Sequence, residues 1–294
     1  MYGSKKPKIK TIAFIGTAQH TYIPAIMGLK EQLRGIIPDQ ALCLISDHFE
    51  VIGDIAVISI PQELSEYKQL IAQEIISHRK NIYTVLNKVS KVAGEVRTAG
   101  YEILAGDTTV TLHHEFGYSY RLDVSRVFFN TRLSYERMRV ADQAECGERI
   151  LVPFCGVGPF AIPAAAKGAQ VVAVEQNPDA YFWLKENISL NKVRKNITAI
   201  HGDACDVRLL PHRQFDRVII PAPYGMDRIL DILSPLVIRD GMIHFYTFKT
   251  RNEIPALIEE YAQKGFDLTY YNSCGNVAPG VSRYVFDFVY SPRP

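Results

Sequence analysis

From Arg149 to Asp206 the chain reads RILVPFCGVGPFAIPAAAKGAQVVAVEQNPDAYFWLKENISLNKVRKNITAIHGDACD. A short apolar run, Ile150 to Val152, leads into a glycine turn, Gly156-Val157-Gly158, and an alanine-rich segment follows. A second apolar run, Val171 to Val174, ends in Glu175. A third unit ends in Asp203. Glycine at such a turn supplies positive φ and lets the backbone approach a ligand closely. An acid about 20 residues later, at the end of the next strand, is placed to accept both hydroxyls of a ribose. The stretch therefore predicts a nucleoside-bearing cofactor at the carboxyl ends of parallel strands. The third glycine of the dinucleotide fingerprint is missing, because Ile162 and Pro163 stand near its place, and this counts against a dinucleotide. Pro159 is expected at the first position of the following helix. The plainer reading of the same residues is a tight turn at Gly156 and Gly158, a cap beside Asn177 for Glu175, and a turn residue for Asp203.

Outward from this stretch, strands and helices alternate from about Arg139 to Pro294, which argues for a parallel sheet with helices on both faces. The pattern predicts strands at 149–154, 171–175, 197–201, 216–221, 241–248, 268–273 and 284–290. It predicts helices at 159–167, 178–191, 226–237 and 252–264. The fourth strand runs into Pro221-Ala222-Pro223-Tyr224, at the edge of the expected crevice. Two prolines stiffen that loop, and Tyr224 is a flat surface on which a base can stack, or a tyrosine at the rim of the core.

Residues 46–138 read as a small α+β domain. Val51 to Ile58 gives two strand pieces around Gly53-Asp54, and Leu64 to Ile76 an amphipathic helix. Thr84 to Val89 and Tyr101 to Leu104 are strand-like, and Thr108 to Leu112 and Tyr118 to Val124 form a hairpin across Glu115-Phe116-Gly117. Residues 1–45 form a mixed N-terminal segment, with a strand and turn at 11–16, a helical spacing from Ile23 to Leu33 and a basic run from Lys5 to Lys10. That run reads as a solvated tail.

The 294 residues are 47% hydrophobic and 22% charged, ordinary for a globular protein, and the net charge of +2 does not by itself announce a nucleic acid. No apolar stretch approaches a membrane span, and there is no signal-peptide layout. The five cysteines are scattered without a CxxC pair. Reduced thiols in a cytoplasmic protein and no zinc site are expected.

The chain from Phe49 to Tyr290 resembles the tRNA guanine-N1 methyltransferases of archaea and eukaryotes, and the related wyosine-pathway transferases. The resemblance rests on Ile52-Gly53-Asp54-Ile55-Ala56, Gly94-Glu95-x-Arg97, Leu104-Ala105-Gly106, Leu122-Asp123-Val124, Arg132-Leu133-x-x-Glu136-Arg137, Phe154-x-Gly156-Val157-Gly158-Pro159-Phe160, Asn177-Pro178-Asp179-Ala180, the run from Glu186 to Val193, and Ala278-Pro279-Gly280-Val281. It implies a class I, Rossmann-like α/β methyltransferase domain with a mostly parallel seven-stranded sheet, preceded by the small α+β domain.

The resemblance also implies S-adenosylmethionine as cofactor, tRNA as partner, no metal and a monomer. Glu136 is expected to be the general base for guanine N1, with Arg97 and Arg137 around the reacting base. The expected cofactor contacts are Arg132, Phe154, Gly156, Gly158, Phe160, Glu175, Gln176, Asp203, Ala204 and Pro221, with Pro223 and Tyr224 on the substrate. A carboxylate suits N1–H, a weak acid, and a nearby arginine suits the developing enolate-like oxygen.

The chain departs from the family in three places. Val152 stands where the family has an acid on the first strand. Pro221-Ala222-Pro223 stands where the methyltransferases have Asn-Leu-Pro, and Ala99 replaces a second arginine. Aminocarboxypropyl transfer on the same pathway, and methyl transfer to a protein or small molecule, are the alternative expectations.

Overall fold

The computed structural model describes residues 28–90 and 99–292. The strand and turn expected at 11–16, the basic run at 5–10, the first part of the helix expected from Ile23, and Arg97 with its Gly94-Glu95 lie outside the described residues.

The small domain begins with two short helices, α1 (Leu29–Leu33) and α2 (Asp39–Leu42). Four strands follow as one sheet, β1 (Glu50–Ile52), β2 (Ile55–Ile58), β3 (Thr84–Lys88) and β4 (Tyr101–Ala105), in that spatial order. Helix α3 (Lys68–His78) crosses between β2 and β3, which pair in parallel. One face of the sheet packs on the helices through Ala56, Ile58, Val85, Leu29, Leu33, Ile71 and Ile75. The other face, with Ile52, Ile55, Val57 and Leu86, joins the core that runs into the rest of the chain.

Strands β5 (Val110–Glu115) and β6 (Tyr118–Asp123) form a separate hairpin. Its turn, Phe116-Gly117, has φ of 48° and 84°. Positive φ at both central residues is the turn geometry that matches strand twist. Gly53 (φ 59°) lies against β5 so closely that an added Cβ would stand 2.7 Å from the Leu112 carbonyl oxygen.

Helix α4 (Ser134–Ala141) leads into seven strands: β7 (Arg149–Val152), β8 (Gln170–Glu175), β9 (Ile197–His201), β10 (Phe215–Ile220), β11 (Val237–Thr250), β12 (Phe266–Ala278) and β13 (Val281–Tyr290). Their spatial order is β12-β13-β11-β10-β7-β8-β9. Strands β11, β10, β7, β8 and β9 pair in parallel, and β13 is antiparallel to both its neighbours. Helices α5 (Ala161–Ala166), α6 (Pro178–Leu190), α7 (Ile229–Leu233) and α8 (Ile254–Gln263) are the crossovers.

Alternation along each strand sends every second residue to one of two cores. Ile150, Val152, Val171, Ala173, Ile219, Tyr246 and Val285 share one core with α5 and α6. Leu151, Val172, Val174, Val218, Ile220, Ile243, Phe245, Phe286 and Phe288 share the other with α7 and α8. The expected mostly parallel sheet of seven strands is present. Three local expectations change. Pro235 ends α7 early, so that Ser234–Leu236 is a 3₁₀ turn. The last two strands extend into a long hairpin closed at Pro279-Gly280, with Gly280 at φ 74°. Pro159 precedes α5 rather than opening it, because Gly158 at φ 98° still belongs to the turn.

Helix α6 offers asparagine amides where a neighbouring strand would offer peptide groups. Asn187 Oδ1 accepts from the Arg121 amide at 2.7 Å, and its Nδ2 donates to the carbonyls of Arg121 (3.0 Å) and Val157 (3.1 Å). One turn on, Asn191 pairs both backbone groups of Ser119, at 2.9 and 2.7 Å. The edge of β6 is thus satisfied by a helix. Asn187 is fully buried, so Asn187→Leu strands a donor and two acceptors without water. The expected loss is about 3–5 kcal/mol of unfolding free energy, read by urea denaturation.

Candidate active site and cofactor cleft

The strand order reverses between β7 and β10, and a crevice opens there at their carboxyl ends, as it must where crossovers leave in opposite directions. It is a partly open cleft. Phe128, Phe154, Phe160 and Pro221 give it apolar walls, and Gly156, Arg137, Tyr246 and Arg283 are also part of the lining. The structure thus brings Phe154, Gly156, Phe160, Pro221 and Arg137 together, as the sequence suggests.

The glycine loop is held in a bent form. Phe154 (φ 51°), Gly156 (φ 57°) and Gly158 (φ 98°) all take the left-handed region. A Cβ on Gly156 would meet nothing closer than the Phe128 carbonyl oxygen at 4.0 Å, so this glycine leaves open space over the cleft. A Cβ on Gly158 would stand 2.8 Å from Leu184 Cδ1, so that glycine serves packing on α6. Glu175 latches the loop. Its Oε2 accepts from the Gly156 amide at 2.7 Å and its Oε1 from the Asn177 amide at 2.8 Å. Burial raises its pKa, and the amides of Asn177 and Gly156 work against that rise. The carboxylate, with about four lone-pair sites for these amides and that of Gln176, keeps acceptor capacity. Val152 is buried in the core, so β7 supplies no carboxylate, and the acid from β8 orders the loop instead.

The remaining candidates are more dispersed. Gln176 and Asp203 are exposed at the ends of β8 and β9, with Ala204 buried beside them. Asp203 Oδ1 accepts from the Cys205 amide at 2.8 Å, an Asx turn. Arg132 is exposed in a 3₁₀ turn and does not line the cleft. Pro223 also lies outside the lining. Tyr224 lines a neighbouring hollow with Asp227, Phe248 and Lys249, its ring 5.5 Å from that of Phe248.

Arg137, expected around the reacting base, lines the cleft but is buried, and its donors grip the hairpin and the segment before α4. Its Nε and Nη2 donate to the two oxygens of Glu115 at 2.7 and 2.5 Å, and Nη1 to the Asn130 carbonyl at 2.9 Å. The Phe129 ring covers its guanidinium at 5.0 Å.

Glu136, one residue earlier on α4, points the other way, toward the sheet. Tyr246 lines the cleft and donates its hydroxyl to Glu136 Oε1 at 2.7 Å. Arg139 donates through Nε to Oε2 (2.9 Å) and through Nη2 to Oε1 (2.7 Å). The same guanidinium reaches Asp287 Oδ2 at 2.5 Å and Oδ1 at 3.1 Å. Asp287 then meets His244 Nδ1 at 2.7 Å, and His244 Nε2 meets Arg217 Nη1 at 2.7 Å. Arg217 closes the row on Glu148 at 2.8 Å. An arginine only donates, so His244 Nε2 accepts and Nδ1–H donates to Asp287. The histidine is neutral, in accord with a pKa lowered by burial. Arg139, Tyr246, His244 and Asp287 are absent from the sequence-derived site. Only the three-residue spacing of Glu136 and Arg139 on one helix face signals the first of them.

The profile of the TRM5/TYW2 methyltransferase domain matches residues 111–267, and that of the TYW2 N-terminal domain residues 29–109. The chain belongs to the TRM5/TYW2 methyltransferase family. It is 38% identical over 224 residues to tRNA (guanine(37)-N(1))-methyltransferase Trm5b of Pyrococcus abyssi, covering 76% of this chain and 64% of that one. It is 36% identical to tRNA 4-demethylwyosine(37)-methyltransferase Taw21 of Saccharolobus solfataricus, covering 67% and 76%. The solved complex of aTrm5 with tRNALeu superposes with a TM-score of 0.82 at 26% identity, covering 96% of this chain and 84% of that one. The chain spans just under two thirds of the length of Trm5b and about half to three fifths of several other curated relatives.

Two stability predictions follow from this geometry. Arg137→Ala leaves Glu115 buried without its guanidinium and should cost about 3–5 kcal/mol in urea unfolding, whereas Arg137→Met with Glu115→Leu should recover most of the loss. The Asp287–His244 pair should make the protein acid-sensitive in two stages. His244 has a folded pKa below its unfolded value of 6.5, so its share of stability is complete above pH 6.5 and falls as pH drops below it. Asp287, held at about 2 against 3.8, mainly by hydrogen bonds from His244 and Arg139 that outweigh burial, adds stability above pH 3.8 that is lost toward pH 2. Denaturation midpoints measured from pH 8 to pH 3 should show the first stage in the native chain and its loss in His244→Gln.

Proposed function

We propose that the protein is an S-adenosylmethionine-dependent methyltransferase acting on a tRNA purine next to the anticodon, at guanine N1, with Glu136 as the general base. One observation carries this reading. The glycine loop and Tyr246, whose hydroxyl is bonded to Glu136, line one cleft, placed at the reversal of a parallel sheet.

The cleft suits the cofactor. Phe154, Phe160 and Pro221 offer apolar walls, Gly156 leaves room above its backbone, and Glu175 keeps acceptor capacity for ribose hydroxyls. Gly158, Gln176, Asp203 and Ala204 extend this surface along the ends of the neighbouring strands. When bound, the cofactor supplies a sulfonium methyl group open to attack by a nitrogen.

The chain's own work is to exclude water, align the acceptor and remove one proton. Phe128, Phe154 and Phe160 exclude water. Glu136 is half-buried, and among the described residues its Oε2 accepts one hydrogen bond, from Arg139 Nε. Oε2 is the oxygen that takes the N1 proton. In the row of contacts from Glu136 to Glu148, two guanidinium groups face three carboxylates, so a proton on Glu136 removes the one excess negative charge. Tyr224 stacks a nucleotide beside the target, Pro223 stiffens that loop, and Arg97 stabilises the developing oxygen anion.

The likeness to Taw21, of which the chain covers 76%, favours a second acceptor, the tricyclic 4-demethylwyosine base at the same position. Purified protein incubated with S-adenosylmethionine and unmodified tRNA should yield N1-methylguanosine by nucleoside mass spectrometry. An aminocarboxypropyl adduct, or label that stays with protein after nuclease, would overturn the proposal. With tRNA carrying 4-demethylwyosine, methylation of that base in place of guanosine would select the second acceptor. Glu136→Gln should lower kcat about a hundredfold with little change in S-adenosylhomocysteine affinity by calorimetry.

A further inference from the structure

We infer that Arg139 is a positioning residue of this site. Fixed by Asp287, it sets the plane of the Glu136 carboxylate. This rests on Glu136 being the base.

The geometry is that of a two-sided clamp. One edge of the Arg139 guanidinium, Nε and Nη2, lies parallel to the Glu136 carboxylate, with bonds of 2.9 and 2.7 Å. The adjoining edge, Nη1 and Nη2, reaches both oxygens of Asp287, so that Nη2 serves both carboxylates. Such fork-to-fork pairing fixes a carboxylate in plane as well as in position. The Tyr270 ring lies over the guanidinium at 4.4 Å and closes one face. Asp287 is itself immobile. Its partner His244 sits opposite it across β11 and β13, and His244 is backed by Arg217 on β10. The clamp is thereby built on three adjacent central strands, while its target stands on the helix above.

Stability alone does not account for this arrangement. Buried ion pairs are weak stabilisers, because desolvation consumes most of their attraction. Here three carboxylates, two guanidinium groups and a neutral histidine stand in one row, with His244, Asp287 and Arg217 buried and Glu136, Arg139 and Glu148 partly so. The charged or titratable groups facing Glu136 are Arg139 on its own helix, Tyr246 on β11, Cys274 on β12 and, through Arg139, Asp287 on β13. Tyr246 and Cys274 both have raised pKa values, the thiol up to about 12, and both stay neutral. Arg283 on β13 also lies near Cys274, and Arg139 is the guanidinium bonded to both oxygens of Glu136. Its edge-on grip leaves Oε2 with a lone pair outside the fork, where a proton can arrive.

The test is a double-mutant cycle in the full chain, read as kcat and as KM for tRNA, with S-adenosylhomocysteine affinity as the check on folding. The variants are Glu136→Gln, Arg139→Gln, Arg139→Lys and the double variant Glu136→Gln/Arg139→Gln. Arg139→Gln should lower kcat ten- to a hundredfold, roughly the cost of a misplaced catalytic group, with KM for tRNA within about twofold. Arg139→Lys, which keeps the charge without the fork, should recover part of that loss. In the Glu136→Gln background the second change should cost nothing further, because a residue that acts through Glu136 has nothing left to position.

If Glu136→Gln is slow and Arg139→Lys keeps native kcat, the inference falls and the base survives. Equal, additive losses would likewise make Arg139 independent of Glu136 and sink the inference. If Glu136→Gln alone keeps native kcat, the reading of the base falls first and the clamp with it. Should Arg139→Gln fail to bind S-adenosylhomocysteine, Arg139→Lys and Asp287→Asn decide the matter by the same split between kcat and KM.

Discussion

One buried amide holds the parts of this molecule in register. Asn187 touches β6 through both backbone groups of Arg121 and the glycine loop through the Val157 carbonyl, from a helix that already packs on the sheet. A buried amide with two donors and an acceptor in use has one orientation. The hairpin therefore cannot slide along α6 without breaking these bonds, and the loop cannot lift from it. The hairpin in turn carries Glu115, which takes the Arg137 guanidinium and so sets the roll of α4. The orientation of Glu136 toward the sheet descends from that chain of contacts.

The helix geometry of α4 explains why two adjacent residues do different work. Successive helical residues point about 100° apart, whereas residues three apart lie on one face. Arg137 is turned to the hairpin and is consumed there. Glu136 and Arg139 share the face toward β11 and β13, where Tyr246 and Asp287 meet them. A motif that ends at Arg137 groups two side chains that the helix separates and omits the one that the helix joins. The i to i+3 spacing was visible, but the partners Tyr246 and Asp287 stand 110 and 148 residues away.

What was legible in the sequence followed from period and punctuation. The parallel strands around Ile150, Val172 and Val218 are short apolar runs bounded by turn residues, and they formed where that pattern put them. The glycine loop and Glu175 came from the same local signals, whereas Phe154, Phe160 and Pro221 in the lining came from the family resemblance. What was not legible depends on contacts between distant segments. His244 on β11 reads as one polar residue in an apolar strand until β13 sets Asp287 opposite it. Asn187 reads as a surface residue of a helix until the edge of β6 arrives. Tyr224 follows the fourth strand as expected, yet the loop directs it to the hollow next to the cleft.

Val152 shows how the two kinds of information combine. Taken alone, the missing acid on β7 weakens the loop that should hold the cofactor. In the fold that position is fully buried, where a carboxylate without a partner is costly, and valine fills the core. The amide that most needs an acceptor, Gly156 N–H, finds one in Glu175 across the strand ends. Glu175 is then asked to order the loop and to meet the ribose with the same two oxygens. Its raised pKa means that the folded chain without cofactor holds a proton there more readily than a free carboxyl. Ribose hydroxyls would donate to the ionised form and draw that pKa down. Loop order, cofactor affinity and the ionisation of one buried acid are thus coupled at a single side chain, Glu175.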